Sequence, residues 1–183
     1  MTTERKGVWP MDPSSAVRHG DWFVLFDPNW AGDPTQDTPP AEVMVGGWRL
    51  EQDGTLGPFR PNPGYRPQTP DTPSDPLDAL LRLITAGEDR SDQIIPALTH
   101  TVVEIACDDQ NEPRTALSPD NIPCVVVVTA EIHKHQLAVP RWLPVLGARL
   151  PETVPDGTDV WFNPGSDHPF RLATTAIRAA GQT

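Results

Sequence analysis

The sequence predicts a single α+β domain: a mixed β-sheet with helices packed on it and long proline-rich loops. Three observations carry that expectation. Cys124-Val125-Val126-Val127-Val128-Thr129 contains four consecutive valines, which implies a central strand buried on both faces. Leu77, Leu80, Leu81 and Ile84 recur at i, i+3, i+4 and i+7, so one stripe of a helix faces that core. The chain has 23 prolines in 183 residues. That is about twice the usual share, so much of the length is extended loop.

Residues 1–20 show no periodicity and read as a flexible N-terminal arm that includes Trp9. Residues 21–57 form an N-terminal β-hairpin region. Asp21 to Phe26 is its first strand, stopped by Asp27-Pro28, and Gly32 to Pro40 is a polar loop. Val43 to Leu50 is the second strand. Val43, Val45 and Trp48 share a face only if a bulge at Gly46-Gly47 corrects the register. Gln52-Asp53-Gly54 turns the hairpin, and Leu56 to Phe59 returns.

Residues 58–75 are a proline-rich linker lying over the surface, with Phe59 and Tyr65 as anchors. A polyproline recognition peptide is the alternative reading of that stretch. Residues 76–181 make up the rest of the same globular unit. The first helix starts with Asp75 as N-cap, Pro76 at N1 and Asp78 near the positive end of the dipole, and Gly87 ends it. A short helix from Ser91 presents Ile94, Ile95 and Leu98. Strands follow at Thr101–Cys107 and Cys124–Thr129, separated by a polar connection. Ala130 to Leu137 holds one or two helical turns. Trp142 to Leu146 is a strand with Pro144 at a sheet edge, and a short helix from Gly147 is ended by Pro151. Val160-Trp161-Phe162 is the last strand, and the last helix begins near residue 172. Between them Asn163 is pushed toward extended geometry by Pro164, while Gly165 supplies a positive φ.

The formal net charge of -11, from 14 Lys+Arg against 25 Asp+Glu, repels phosphate backbones and argues against nucleic-acid binding. A protein partner with a basic surface is the natural complement. No apolar run approaches the roughly 18 residues of a membrane helix, and no signal-peptide pattern opens the chain, so a cytoplasmic protein without membrane insertion is expected. Cys107 and Cys124 read as buried reduced thiols, with a bridge between neighbouring strands as the alternative.

Catalytic, cofactor-binding and metal sites are all expected to be absent. His133-Lys134-His135 lacks further ligands, with His100, Cys107 and Asp108 the only candidates, so both histidines are read as solvated. Asp108-Asp109, or Asp27 with Asp33 or Asp37, would need fixed separations inside a cleft to serve as acid pairs. Ser166-Asp167-His168 holds three triad residue types in a row, but adjacent residues point apart and cannot form a relay. The nucleophile-elbow, phosphate-loop and dinucleotide fingerprints are missing. Trp22, Trp48, Trp142 and Trp161 lie in strands and are expected mostly in the core. Trp30, with Asp27, Asp33 and Asp37 around it, is the candidate partner-binding anchor.

Two groups of motifs carry a family resemblance. Val160 to Leu172, with its strand, Asn-Pro-Gly-Ser turn and following helix, resembles the SseB-like fold, although Ala130-Glu131 departs from that fold's Ser/Thr-Pro helix start. The series Trp22, Asp27-Pro28-Asn29-Trp30, Gly47-Trp48-Arg49, Asp53-Gly54, Asn62, Tyr65-Arg66-Pro67 and Asp75-Pro76-Leu77-Asp78 is similar to actinobacterial proteins described as type VII secretion system-associated. That resemblance implies an SseB-like region over residues 76–181 and a non-catalytic adaptor or chaperone-like protein. An immunity protein that covers the basic cleft of a secreted toxin is the alternative reading, and a small metal-dependent hydrolase is the third.

Overall fold

The computed structural model describes residues 11–35 and 38–180, which form an α+β fold with two sheets. The first sheet is an antiparallel meander of β1 (Val17–His19), β2 (Trp22–Phe26), β3 (Met44–Leu50) and β4 (Leu56–Pro61). A bulge is there, one residue before the Gly46-Gly47 pair where it was expected. Leu25 pairs with Gly46 and Phe26 with Met44, so Val45 is the extra residue, and both Val45 and Trp48 turn inward. Gly46 is required at this point. A β-carbon on it would lie 2.4 Å from the Arg60 carbonyl oxygen and 2.7 Å from Phe59.

The second sheet runs β10 (Phe170–Leu172), β9 (Asp159–Phe162), β7 (Pro123–Val128), β5 (Val102–Cys107), β8 (Arg141–Leu146), with β6 (Thr115–Leu117) also on β7. Only β7 and β9 are parallel. The strands expected in one mixed sheet are therefore divided, those near residues 22 and 43 standing in the first sheet and the rest in the second. A bridge between Phe59 and Thr101, with the Phe59 N–H donating to the His100 carbonyl at 2.7 Å, joins the two.

Helix α1 (Pro76–Thr85) lies between them. Its Leu77, Leu80 and Leu81 enter the main core with α2 (Ile94–Thr99), α3 (Leu150–Thr153), α4 (Thr174–Ala180) and the inner face of the second sheet. Ala79, on another side of the helix, enters a smaller cluster with Met11, Leu25, Val45, Phe59 and Tyr65. Glu88 N–H donates to the Leu83 carbonyl and Gly87 N–H to that of Ile84, a Schellman closure made possible by the positive φ of Gly87. Val125 and Val127 join the main core, while Val126 and Val128 point the other way and are buried as well.

Several expectations are corrected. The arm expected over residues 1–20 is built from Met11 onward: Met11 is fully buried and Val17–His19 pair with β2. Trp9 lies outside the described residues. Strands β1, β6 and β10 fall where no strand was read, each only three residues long and formed by pairing to a stronger neighbour. Pro151 sits in the first turn of α3 rather than ending a helix, and the last helix begins at Thr174. None of the four strand tryptophans is fully buried. Trp22 is 36% exposed and Trp142 and Trp161 are half-buried, while Trp48, also half-buried, packs on Phe59 against the inner cluster. Pro144 does lie on an edge strand, and both cysteines are free, buried thiols. Among the described residues no helix is long and apolar enough to cross a membrane.

Candidate functional site

Helix α1 opens with more buried charge than a helix start requires. Asp75 caps it, its Oδ1 accepting the Asp78 N–H at 2.9 Å. Asp78, three residues on, accepts the Ser74 N–H at 2.9 Å and the Arg82 Nε at 2.9 Å, both on Oδ2. Arg82 also donates to the Asp71 carbonyl at 3.2 Å. Both carboxylates are fully buried. The orphan N–H groups and positive end of the helix stabilise charge there, and a buried carboxylate without such partners would be severely destabilising.

A second element meets this start. Parallel strands β7 and β9 end side by side, placing Thr129 next to Asn163. Asn163 has φ 48°, not the extended geometry expected before a proline. Tertiary contacts override the local preference: its N–H donates to the Val127 carbonyl at 2.9 Å, and its Oδ1 accepts the Thr129 N–H at 3.0 Å. Its Nδ2 donates to Thr129 Oγ1 at 3.0 Å and reaches Asp78 Oδ1 at 3.5 Å. Gly165 has the expected positive φ, and the Ser166 N–H closes the turn on the Asn163 carbonyl.

The third element is the 3₁₀ turn Glu131–Lys134 after β7. It carries His133, whose Nε2 lies 2.8 Å from Ser74 Oγ. The Ser74 hydroxyl donates to Asp75 Oδ2 at 2.6 Å, so the remaining contact is filled by a proton on His133 Nε2. Serine, histidine and aspartate thus meet here, but the hydroxyl donates its hydrogen bond to the carboxylate and is itself buried. A nucleophile needs the reverse: an accessible hydroxyl giving its proton to the imidazole. Burial, followed by the nearby Asp78 charge, pushes the Asp75 carboxyl above its usual range, against hydrogen bonds from Ser74, Thr129 and the Asp78 amide. Burial also lowers His133, against the pull of Asp78 and Asp75.

Above these groups is a cavity of about 390 Å³, walled by the strap of residues 67–74, the His133 turn with Gln136, and the Gly165–Asp167 turn. It lies beyond the carboxyl ends of β7 and β9, the position where open sheets with parallel strands place their clefts. His133 was read as a solvated surface residue; it is half-buried and hydrogen-bonded, whereas His135 is exposed. Lys134 points away to Glu104 and Glu131, both at 2.7 Å, and lies over Trp142. Among the described residues no group of three or more His, Cys, Asp or Glu could hold a metal ion.

The loop proposed from sequence as a partner anchor is arranged differently. Asp27 is buried, accepting the Asn29 N–H at 2.8 Å, the Tyr65 hydroxyl at 2.9 Å and the Gln68 N–H at 3.0 Å. It organises the strap and has no surface to offer a partner. Burial, helped by Asp27, pushes the Tyr65 hydroxyl far above its ordinary range, so it remains a donor. Trp30 is half-buried, stacked on Phe26 at 5.5 Å and lying against the Gly32 backbone. Asp33 is half-buried and caps Thr35, and Asp37 lies outside the described residues.

The exposed aromatic face is next door. On β2, Leu25 points inward, so Trp22, Val24 and Phe26 share the outer face, with His19 of β1 opposite Trp22. None of these four is buried. Beside Trp22 an open recess is lined by Asp21, Glu51, Asp53 and Arg49, and Leu56 on β4 is 49% exposed. The sequence marked β2 as a strand but gave no sign of which alternate set faced out.

No protein-family model matches the chain, and no curated protein or solved structure is significantly similar to it. The resemblance to secretion-associated, SseB-like proteins rests on the residues quoted above.

Proposed function

We propose that the chain is a non-catalytic, protein-binding adaptor of a type VII secretion locus, chaperone-like toward a partner with a basic surface. The outer face of the first sheet carries this reading. A stripe of Trp22, Val24 and Phe26 beside a recess of three carboxylates combines an aromatic hot spot with a steering charge. The net charge of -11 extends that attraction over the whole surface. The buried Ser74–His133–Asp75 cluster supports the non-catalytic part, because its hydroxyl and carboxylate are consumed in holding α1 to the β7 and β9 ends.

Photo-crosslinking from position 22 in an actinobacterial cell with a type VII system tests the reading. Crosslinks to one predominant protein rich in Lys and Arg are expected from position 22, with none from position 117 on the second sheet. Equal capture from both positions, or none from position 22, would overturn it. Crosslinks that fall on a toxin's catalytic cleft would replace the adaptor role with an inhibitory one.

A further inference from the structure

We infer that the cavity over His133 receives a cationic side chain, an ammonium or guanidinium group, from the protein partner; this deepens the partner-binding reading and rests on it. The cavity's volume of about 390 Å³ is near the small end of ligand pockets, which run from about 300 to 1,000 Å³. It therefore suits one side chain with water better than a folded segment. Its walls offer acceptors of several kinds: the side-chain oxygens of Gln68 and Gln136, the Thr69 and Ser166 hydroxyls and the Asp167 carboxylate. Asp167 is exposed and forms no ion pair among the described residues.

The one fixed cation in the wall, Arg82, is already committed. Its Nε is on Asp78 and its Nη1 on the Asp71 carbonyl. Arg82 and Asp78 neutralise each other, which leaves the Asp167 carboxylate as the charge in the wall without an ion pair among the described residues. Burial holds His133 below the ordinary imidazole range, against the pull of Asp78 and Asp75. An anionic ligand would meet the Asp167 carboxylate, whereas Pro67, Pro70 and Ile132 suit the methylene stem of a long cationic side chain. The receptor is also preformed. Thr72 accepts the Asn29 amide at 2.8 Å and the Gln68 N–H is fixed on Asp27, so the strap loses little freedom on binding.

The test is a titration of the full-length, isotopically labelled chain with capped arginine amide, capped lysine amide and capped glutamate amide, followed by NMR. The two cations are expected to give saturable millimolar shifts at Gly165, Ser166 and His133, and the glutamate none. Asp167→Asn, in an exposed turn, should weaken the arginine response at least five-fold with the remaining spectrum unchanged, while Trp22→Ala should leave it intact. A response to glutamate equal to that of arginine, the absence of saturable shifts, or an unaltered response in Asp167→Asn would overturn the inference. Crosslinking from position 22 that survives such a failure removes the cavity's role alone. Arginine binding without any crosslink removes the adaptor reading instead.

Discussion

Strand β7 hides five of its six residues, whereas β2 hides one of its five. The second sheet is built around apolar burial. Sixteen residues form its cluster, most of them drawn from four helices and four strands. The first sheet has six, and three of them, Met11, Tyr65 and Ala79, come from the segment before β1, the loop after β4 and α1 rather than from the sheet. Its place is fixed largely by polar pins: Asp27 with three donors, and Asn62, whose amide reaches the Ala41 and Met44 carbonyls at 2.8 Å each. The difference shows which part of the molecule has side chains to spare. The central strand β7 buries both of its faces and has little left to present, while β2 turns Trp22 and Phe26 outward.

The strongest way to break this contrast is to remove apolar bulk from the second core. Leu80→Ala, at a fully buried position, is expected to cost about 4 kcal/mol in urea unfolding, within the range for large-to-small changes. A loss below about 1 kcal/mol would place the main core elsewhere. Asp27→Ala comes next at about 2–3 kcal/mol, since it strands the Tyr65 hydroxyl and the Gln68 amide. Native-state hydrogen exchange of that variant should show faster exchange in β2 and β3 than in β7; a uniform acceleration would mean the two sheets open as one unit.

Trp30→Ala should cost about 1–2 kcal/mol by removing the stack on Phe26 and the cover of Gly32. Loss of partner binding without loss of stability would restore Trp30 as an exposed anchor. The smallest effect is a pH dependence. His133 has a folded pKa below its unfolded value of about 6.5, so the unfolded chain gains a proton first, and stability is lost as pH falls through that value. Asp75, raised by burial, acts in the opposite sense: its contribution is full in acid and declines as pH rises through its folded pKa. Wild type should therefore lose more stability between pH 7.5 and 5.5 than His133→Asn does, as read from urea midpoints. Equal losses would show that His133 titrates as an exposed residue.

What could be read beforehand follows the range over which each residue's determinants act. β5, β7 and α1 are legible because their determinants are local: an apolar run, a 3.6-residue stripe, an aspartate cap and a terminal glycine. β1, β6 and β10 are three residues each and carry no pattern of their own; only pairing with a neighbour makes them strands. The candidate site was mostly hidden for the same reason. Ser74 and His133 are 59 positions apart, and nothing near either announces the other. At Asn163 the local rule gave the wrong backbone, since hydrogen bonds to Thr129 and Val127 outweigh the preference set by Pro164. The tryptophans were placed in strands correctly, but a strand assignment alone does not say which face is covered.

The span between Asp78 and Asn163 also sets a schedule. The two are 85 positions apart, and Asn163 is the residue that links the α1 start to the end of β7. At about 5–20 residues per second of synthesis, the helix start waits several seconds or more for that partner. During that interval Asp75 and Asp78 cannot yet be enclosed by the β9 turn. The nascent chain thus keeps a hydrated, negatively charged surface where the finished protein has a sealed joint, and the turn after β9 acts as the closing step for that joint.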